Sequence, residues 1–331
     1  MENIYEFNNI LITGGYGFIG SNFIRYMLEK YTDINIINLD ALTYAGNPEN
    51  LKEINNDPRF TFVKGDIRNK NIVDKLMKQC DAIIHFAAES HVDRSIEDAG
   101  EFIQVNVYGT YVLLQAALEA MESGNRIERF VMISTDEIYG NIPPGCFSKE
   151  TDPLMPRNPY AASKAGADRL AYSYHETHKL PVVITRSSNN FGPYQYPEKL
   201  LPLFITNLLE RKKVPLYGDG RNIRDWLYVQ DNCKAIDMVL HNGKNGEIYN
   251  IGGDNEKSNI EVTKQILSIL GRDESFIEFV KDRKGHDRRY SLDSSKIKKE
   301  LGWKPQVEFD TALKETVNWY VENVDWWDKL K

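Results

Sequence analysis

Cysteine is scarce in this chain of 331 residues. Cys80, Cys146 and Cys233 stand too far apart for a disulfide framework or for the paired spacing of a zinc site. No apolar run approaches the ~20 residues of a membrane span. The stretch Met1-Glu2-Asn3-Ile4-Tyr5-Glu6 lacks the basic-then-apolar layout of a signal peptide. Positive charge is not in excess: 41 Lys and Arg face 48 Asp and Glu, the net charge is −7, and the signs are interspersed. That balance gives no reason to expect nucleic acid or an anionic membrane as partner. Internal repeats and low-complexity tracts are absent. His85 and His91 flank one strand end without a metal-spaced partner, so both read as structural and no metal is expected. What remains is a reduced, cytoplasmic globular protein, long enough for one large or two modest domains.

What is present is alternation. Short apolar runs at Asn9–Thr13, Ile34–Leu39, Phe60–Val63, Ala82–Ala87, Phe130–Ile133 and Val182–Thr185 read as strands. Helix-period segments stand between most of them, at Ser21–Lys30, Asn69–Cys80, Phe102–Leu118 and Tyr160–Lys179. Such alternation implies right-handed βαβ units and a parallel sheet, with ligands at the carboxyl ends of its strands. Gly14, Asp40, Asp66, Ala88 and Thr135 all lie just past strand ends and are expected to line one crevice. Gly15, Gly17 and Gly20 fit G-x-G-x-x-G between a strand and a helix, the arrangement that brings backbone amides to a pyrophosphate. An ordinary Gly-rich turn has the same spacing. Asp40, at the ~20-residue offset of a ribose-binding acid, favours dinucleotide binding, and NAD over NADP because an acid repels a 2′-phosphate.

From Ser187 the texture changes. Asn189–Pro197 is turn-rich and aromatic, Leu200–Leu209 helical, and Leu216–Arg221 a turn. Val229–Leu240 and Glu247–Gly253 read as a helix and strand that return to the first unit. A helix at Asn259–Leu270, a basic loop at Arg283–Arg289 and a helix at Thr311–Asn323 follow. The expected fold is α/β: a Rossmann-type doubly wound parallel sheet over 1–186, with 228–255 returning to it, and a smaller interleaved α/β substrate domain over 187–331.

The candidate chemistry lies between Ser134 and Lys164. Tyr160 and Lys164 are one helical turn apart and share a face. Thr135, Asp136 and Glu137 follow a strand. A free Tyr has a pKa of ~10, so Tyr160 serves as a base only if a cation, Lys164 or a nicotinamide, stabilises its phenolate. Asp136 serves as an acid only if burial and the charge of Glu137 lift it well above ~3.9. Two acids after a strand are also an ordinary helix start.

Thr13-Gly14-Gly15-x-Gly17-Phe18-Ile19-Gly20, Tyr160-x-x-x-Lys164 and Tyr249-Asn250-Ile251-Gly252-Gly253 together resemble the extended short-chain dehydrogenase/reductase family. Within it, Ala87–Ser95, Ser134–Glu137, Asn189–Gln195 and Gly285–Tyr290 look most like the branch of dTDP-glucose 4,6-dehydratases. Phe191 stands where that branch usually has Tyr, and Lys284 where it has Pro.

The resemblance implies tightly bound NAD, recycled within each turnover: hydride leaves sugar C4, water is eliminated across C5–C6, and hydride returns to C6. Tyr160 would act as the base at the 4-hydroxyl beside Lys164, Thr135 would bond the 4-oxygen, Glu137 would take the C5 proton, and Asp136 would protonate the leaving hydroxyl. Cofactor positions carried over by motif are Gly14, Gly17, Phe18, Ile19, Gly20, Asp40, Leu42, Thr43, Asp66, Ile67, Phe86, Ala87, Ala88, Ser90, Tyr160, Lys164 and Asn190. Substrate positions are Ser90, Thr135, Asn189, Lys199, Leu200, Pro215, Tyr217, Arg224, Asn259, Asp287, Arg288 and Tyr290. Arg224 and Lys199 suit a diphosphate and Tyr217 a base. The resemblance also implies a homodimer through a four-helix bundle of the helices near Phe102–Leu118 and Ala161–His178, and a role in deoxysugar synthesis for surface polysaccharide. A UDP-glucose 4,6-dehydratase, a nucleotide-sugar 4-epimerase, which needs no carboxyl pair, and a non-catalytic cofactor sensor remain as alternatives.

Overall fold

Strands as apolar as Asn9–Thr13 and Ala82–His85 have no polar face to give to water, so they are stable only where helices cover both sides. The computed structural model, which describes residues 5–331, builds that arrangement. Residues 1–4, and with them most of the N-terminal stretch read for a leader, lie outside the described part. In chain order the first unit comprises β1 (Asn9–Thr13), α1 (Phe18–Lys30), β2 (Asn35–Asp40), β3 (Phe60–Lys64), α2 (Lys70–Met77), β4 (Ala82–His85), α3 (Val92–Glu97), α4 (Gly100–Phe102), α5 (Thr110–Glu122), β5 (Arg129–Thr135), α6 (Pro159–His178) and β6 (Val182–Ser187). The second part supplies β7 (Asn189–Phe191), α7 (Leu200–Leu209), β8 (Val214–Tyr217), β9 (Ile223–Tyr228), α8 (Val229–Asn242), β10 (Ile248–Ile251), β11 (Glu256–Ser258), α9 (Asn259–Ile269), β12 (Ile277–Val280), α10 (Ser295–Leu301), α11 (Phe309–Glu322) and α12 (Val324–Trp327).

Seven strands pair in parallel in the order β3-β2-β1-β4-β5-β6-β10. Chain direction across the sheet reverses between β1 and β4, which opens a crevice at their carboxyl ends. One core, from Phe23 and Ile24 to Ile236 and Leu240, lies under α1 and α8, and another, from Val73 to Ala171, under α2, α5 and α6. The buried Asp237 carboxylate clamps α8 to α1. It accepts from Tyr26 and Tyr31, both at 2.9 Å, and pairs with Lys30 and His241. No helix among the described residues is long and apolar enough to cross a membrane.

Several elements differ from the sequence reading. The segment read as one helix, Phe102–Leu118, passes from α4 through a π-helical turn, Ile103–Gly109, into α5. Leu216 and Tyr217 end strand β8 rather than open a turn. β7, β9 and β11 form a three-stranded sheet and β8 pairs with β12. At three to six residues these strands are too short for alternation to reveal them. The return to the first unit also runs past residue 255. Ile297 and Leu301, on a helix so rich in lysine that only this i, i+4 apolar pair marks its inner face, sit with Trp303 just beyond it in the same core as α1 and α8.

Candidate active site

A cavity of about 500 Å³ runs along the carboxyl ends of the sheet and is roofed by the second unit. Nearly every residue expected at the site lines it, from the Gly-rich turn through Asp40, Asp66, Ala88, Thr135–Glu137, Tyr160 and Lys164 to Asn189, Lys199, Tyr217, Arg224, Asn259 and Tyr290. Three expected residues do not. Leu42, at φ 54°, packs against the core and donates its N–H to Asp40. Asp287 is fully buried behind the wall, where it accepts from Tyr290 at 2.8 Å and from Arg157 at 3.0 Å. Arg288 points away and forms a bidentate pair with Asp219 on the surface, at 2.7 and 3.0 Å.

The glycines of the first turn do different jobs. A Cβ on Gly15 would stand 2.4 Å from Asn38 Oδ1, and one on Gly20 2.4 Å from the Gly14 carbonyl, so both serve packing. A Cβ on Gly17 would meet only Gly14 O, at 3.2 Å. Gly17 begins α1 with no side chain capping the free N–H groups behind it. An anionic group can therefore approach the positive end of α1 through the space that the missing side chain leaves. Asp40, at the end of β2, is aligned by the N–H groups of Tyr16 and Leu42 at 2.9 and 2.8 Å. These features fit a dinucleotide.

The acids sit on a 3₁₀ turn, Asp136–Tyr139, that follows β5. Thr135 caps it, accepting the Glu137 N–H at 3.3 Å, so the helix-start role that the sequence left open for the acids belongs to Thr135. Asp136 is 3% exposed, and its Oδ2 has no hydrogen-bond partner. Burial first, then the charges of Glu137 and Asp225, hold its carboxyl well above the usual range. Glu137 is reached only by long contacts, 3.4 Å from Asn158 Nδ2 and 3.4 Å from the Tyr290 hydroxyl. Asn158 and Pro159 start α6, with the Asn158 side chain accepting the Ala161 N–H at 2.8 Å. That start aims Tyr160 and Lys164 at the same cavity.

Lys164 lines the same cavity as Tyr160. Its ammonium donates to the Ile133 carbonyl at 2.6 Å, and burial lowers its pKa to about 8. Burial and then the charges of Glu137 and Asp136 push the Tyr160 phenol up, offset only by a hydrogen bond with Thr135. The protein's own charges near Tyr160 thus oppose the phenolate. One turn of helix carries Lys164 past the phenol to the backbone of β5.

On the opposite wall, Arg224 is held by the carbonyls of Ile223 and Asp287 at 2.7 and 3.0 Å, and its guanidinium lies 4.2 Å over the Tyr290 ring. Lys199 donates to the Ser90 carbonyl at 2.8 Å. The Oδ1 atoms of Asn189, Asn190 and Asn259, all on cavity-lining residues, are buried without a partner. His85 bridges the hydroxyls of Thr13 and Thr110 at 2.7 and 3.0 Å; burial lowers its pKa to about 3, so it holds α5 to β1 as a neutral ring. His91 caps α3. Among the described residues no cluster of His, Cys, Asp or Glu could hold a metal ion.

Sequence reasoning missed Glu198, Arg283 and Asn106. Glu198 and Arg283 line the cavity. Asn106, in the π-helical turn, binds both backbone groups of Glu89 and the Ser163 hydroxyl at 2.9–3.0 Å, tying α6 to the crevice. Arg283 lay inside the basic loop already noted. Asn106 carried no signal, because a single π turn inside a helical run is too short to show a period of its own.

A family model described as GDP-mannose 4,6 dehydratase matches residues 11–316. The chain belongs to that family. It is 53% identical over 313 residues to the low-salt glycan biosynthesis protein Agl12 of Haloferax volcanii, covering 95% of this chain and 98% of that one. It is 51% identical to a dTDP-glucose 4,6-dehydratase of Actinoplanes, covering 96% and 99%. The crystal structure of DesIV, a dTDP-glucose 4,6-dehydratase from Streptomyces venezuelae with NAD bound, superimposes with a TM-score of 0.94 at 52% identity, covering 98% of this chain and 100% of that one.

The two kinds of glycine make a direct test. Gly17→Val is expected to leave thermal stability within about 1 kcal/mol while weakening dinucleotide binding about tenfold or more by calorimetry. Gly20→Ala should instead cost about 1–3 kcal/mol of stability. Unchanged dinucleotide affinity in Gly17→Val would remove this turn from the site.

Proposed function

We propose that this protein is an NAD-dependent dTDP-glucose 4,6-dehydratase, forming dTDP-4-keto-6-deoxyglucose and water for deoxysugar synthesis in the cytoplasm. The observation that carries the reading is the buried Asp136 carboxyl, its Oδ2 without a partner, beside Glu137 and Tyr160 in one cavity. A 4-epimerase has no use for an acid kept protonated there, and a non-catalytic sensor has no use for any of the three. Relatives near 50% identity carry the dTDP-glucose name, which favours thymidine over uridine. Three unpaired cysteines, two of them buried, suit the cytoplasmic setting.

Residues 1–186, 228–255 and 295–303 hold the cofactor in this reading, and the remainder holds the sugar nucleotide. The N-terminus of α1, Gly17 and Asp40 would bind NAD, which supplies, when bound, a reversible acceptor for hydrogen from C4 and its return at C6. Tyr160 removes the proton of the 4-hydroxyl, and Thr135 steadies the 4-oxygen. The 4-ketone acidifies C5, where Glu137, free of any short hydrogen bond, takes the proton. Asp136 gives its proton to the leaving 6-hydroxyl. A neutral Asp136 also spares Tyr160 one of the two charges that oppose its phenolate. Lys199 and Arg224 face the diphosphate and Tyr217 the base.

Incubation with dTDP-glucose and no external oxidant should yield the 4-keto-6-deoxy product, read by its absorbance in alkali. Asp136→Asn and Glu137→Gln should slow dehydration about 10²–10⁴-fold, while quenched single turnovers still yield the 4-ketone. Dehydration should fall as pH rises through the raised pKa of Asp136, because only the acid form donates. No product from dTDP-glucose, with epimerisation of UDP-glucose instead, would overturn the reading.

The chain also works as a homodimer in this reading, paired through α5 and α6. Ile103, Tyr108 and Tyr111, on the π turn and the start of α5, are 53, 46 and 41% exposed. Large apolar groups so placed suit a covered face. Sedimentation should give twice the chain mass and Tyr111→Glu should shift it towards the monomer; a monomeric wild type would exclude the pairing.

A further inference from the structure

The segment Ser90–Arg94 supplies no proton and no reacting group, yet four of its residues reach across the cleft. The Ser90 carbonyl receives Lys199 at 2.8 Å. His91 and Arg94 stand 3.6 and 3.7 Å from Glu198, which also accepts the Tyr44 hydroxyl at 3.0 Å. Asp93 makes the strongest link. It takes Arg283 in a bidentate fork at 2.6 and 2.7 Å, and the Tyr217 hydroxyl reaches the same carboxylate at 3.5 Å. Arg283 in turn lies 5.3 Å from the centre of the Tyr217 ring. One carboxylate on α3 therefore holds both the basic loop 281–289 and the aromatic wall of the second unit. An exposed ion pair would contribute little. This one is forked, with side chains only 35 and 22% exposed, and Arg283 lines the cavity.

We infer that Asp93 is a positioning residue whose pair with Arg283 latches the cleft over a bound nucleotide, so that the pair must part before the nucleotide leaves. The nucleotide is that of the proposed reaction, and the inference rests on that reading for its identity. The latch itself is made by this chain's own side chains. Closing the mouth holds Tyr217 against the base and keeps water from the acids. The cross-cleft contacts of Ser90, His91, Asp93 and Arg94 then serve closure.

The test compares wild type with Asp93→Asn, Arg283→Gln and the double variant, each as the full chain. Hydrogen exchange on the chain alone should quicken in both 89–97 and 281–289 for either single variant, with no further gain in the double. Dissociation of dTDP should quicken about tenfold, and KM for dTDP-glucose should rise more than kcat changes. Asp93→Glu, which keeps the charge, should recover most of the loss. Exchange that quickens only in the mutated segment, or effects that add in the double variant, would overturn the latch. Because exchange is read without ligand or turnover, its outcome stands apart from that of the dehydration assay.

Discussion

A carboxyl group taken out of water beside another carboxyl group keeps its proton, and the candidate site depends on that constraint. Asp136 is buried, lacks a partner on Oδ2, and feels both Glu137 and Asp225. Each pKa unit gained is worth about 1.4 kcal/mol against ionisation. Burial, then Glu137 and Asp136, push Tyr160 up, so the two titrations are coupled: protonating Asp136 eases the phenolate. The Lys164 ammonium is held by the backbone of β5.

Burying the acids in a cavity requires a roof, and the path of the chain provides one. After β6 it leaves the sheet to build a second unit, yet α8, β10 and α10 return to pack on the first. The roof is thereby tied to the sheet at several places in the sequence instead of hanging from one linker. Asp237, with its partners on α1 and α8, anchors the return. The free edge of the cleft, where Ser90–Arg94 meets the second unit, is joined by bonds that each involve a side chain, and motion is expected there.

Much of this could be read in the residues. Burial made five of the first six strands visible as apolar runs, the exposed edge strand β3 showing only by Phe60, Phe62 and Val63, and Gly17, Asp40, Tyr160 and Lys164 announced themselves by spacing. The rest was hidden for physical reasons. The strands of the second unit are too short to show a period. α10 buries only Ile297 and Leu301 and otherwise looks like a solvated basic stretch. Within the motif Gly285–Tyr290, spacing could not tell the wall residue Tyr290 from the buried support Asp287 or from the outward Arg288, because neighbours in a loop face different ways. Lys164 shares a helix face with Tyr160 as expected, but a shared face does not say which group an ammonium will bind.

In the proposed reaction one site performs oxidation, elimination and reduction without releasing the sugar. Turnover of dTDP-glucose carrying deuterium at C4, with no added reductant, measures this most directly. The predicted product carries the deuterium at C6 of the 4-keto-6-deoxy sugar. Product with solvent hydrogen at C6, or label retained at C4 in an epimerised sugar, would contradict it.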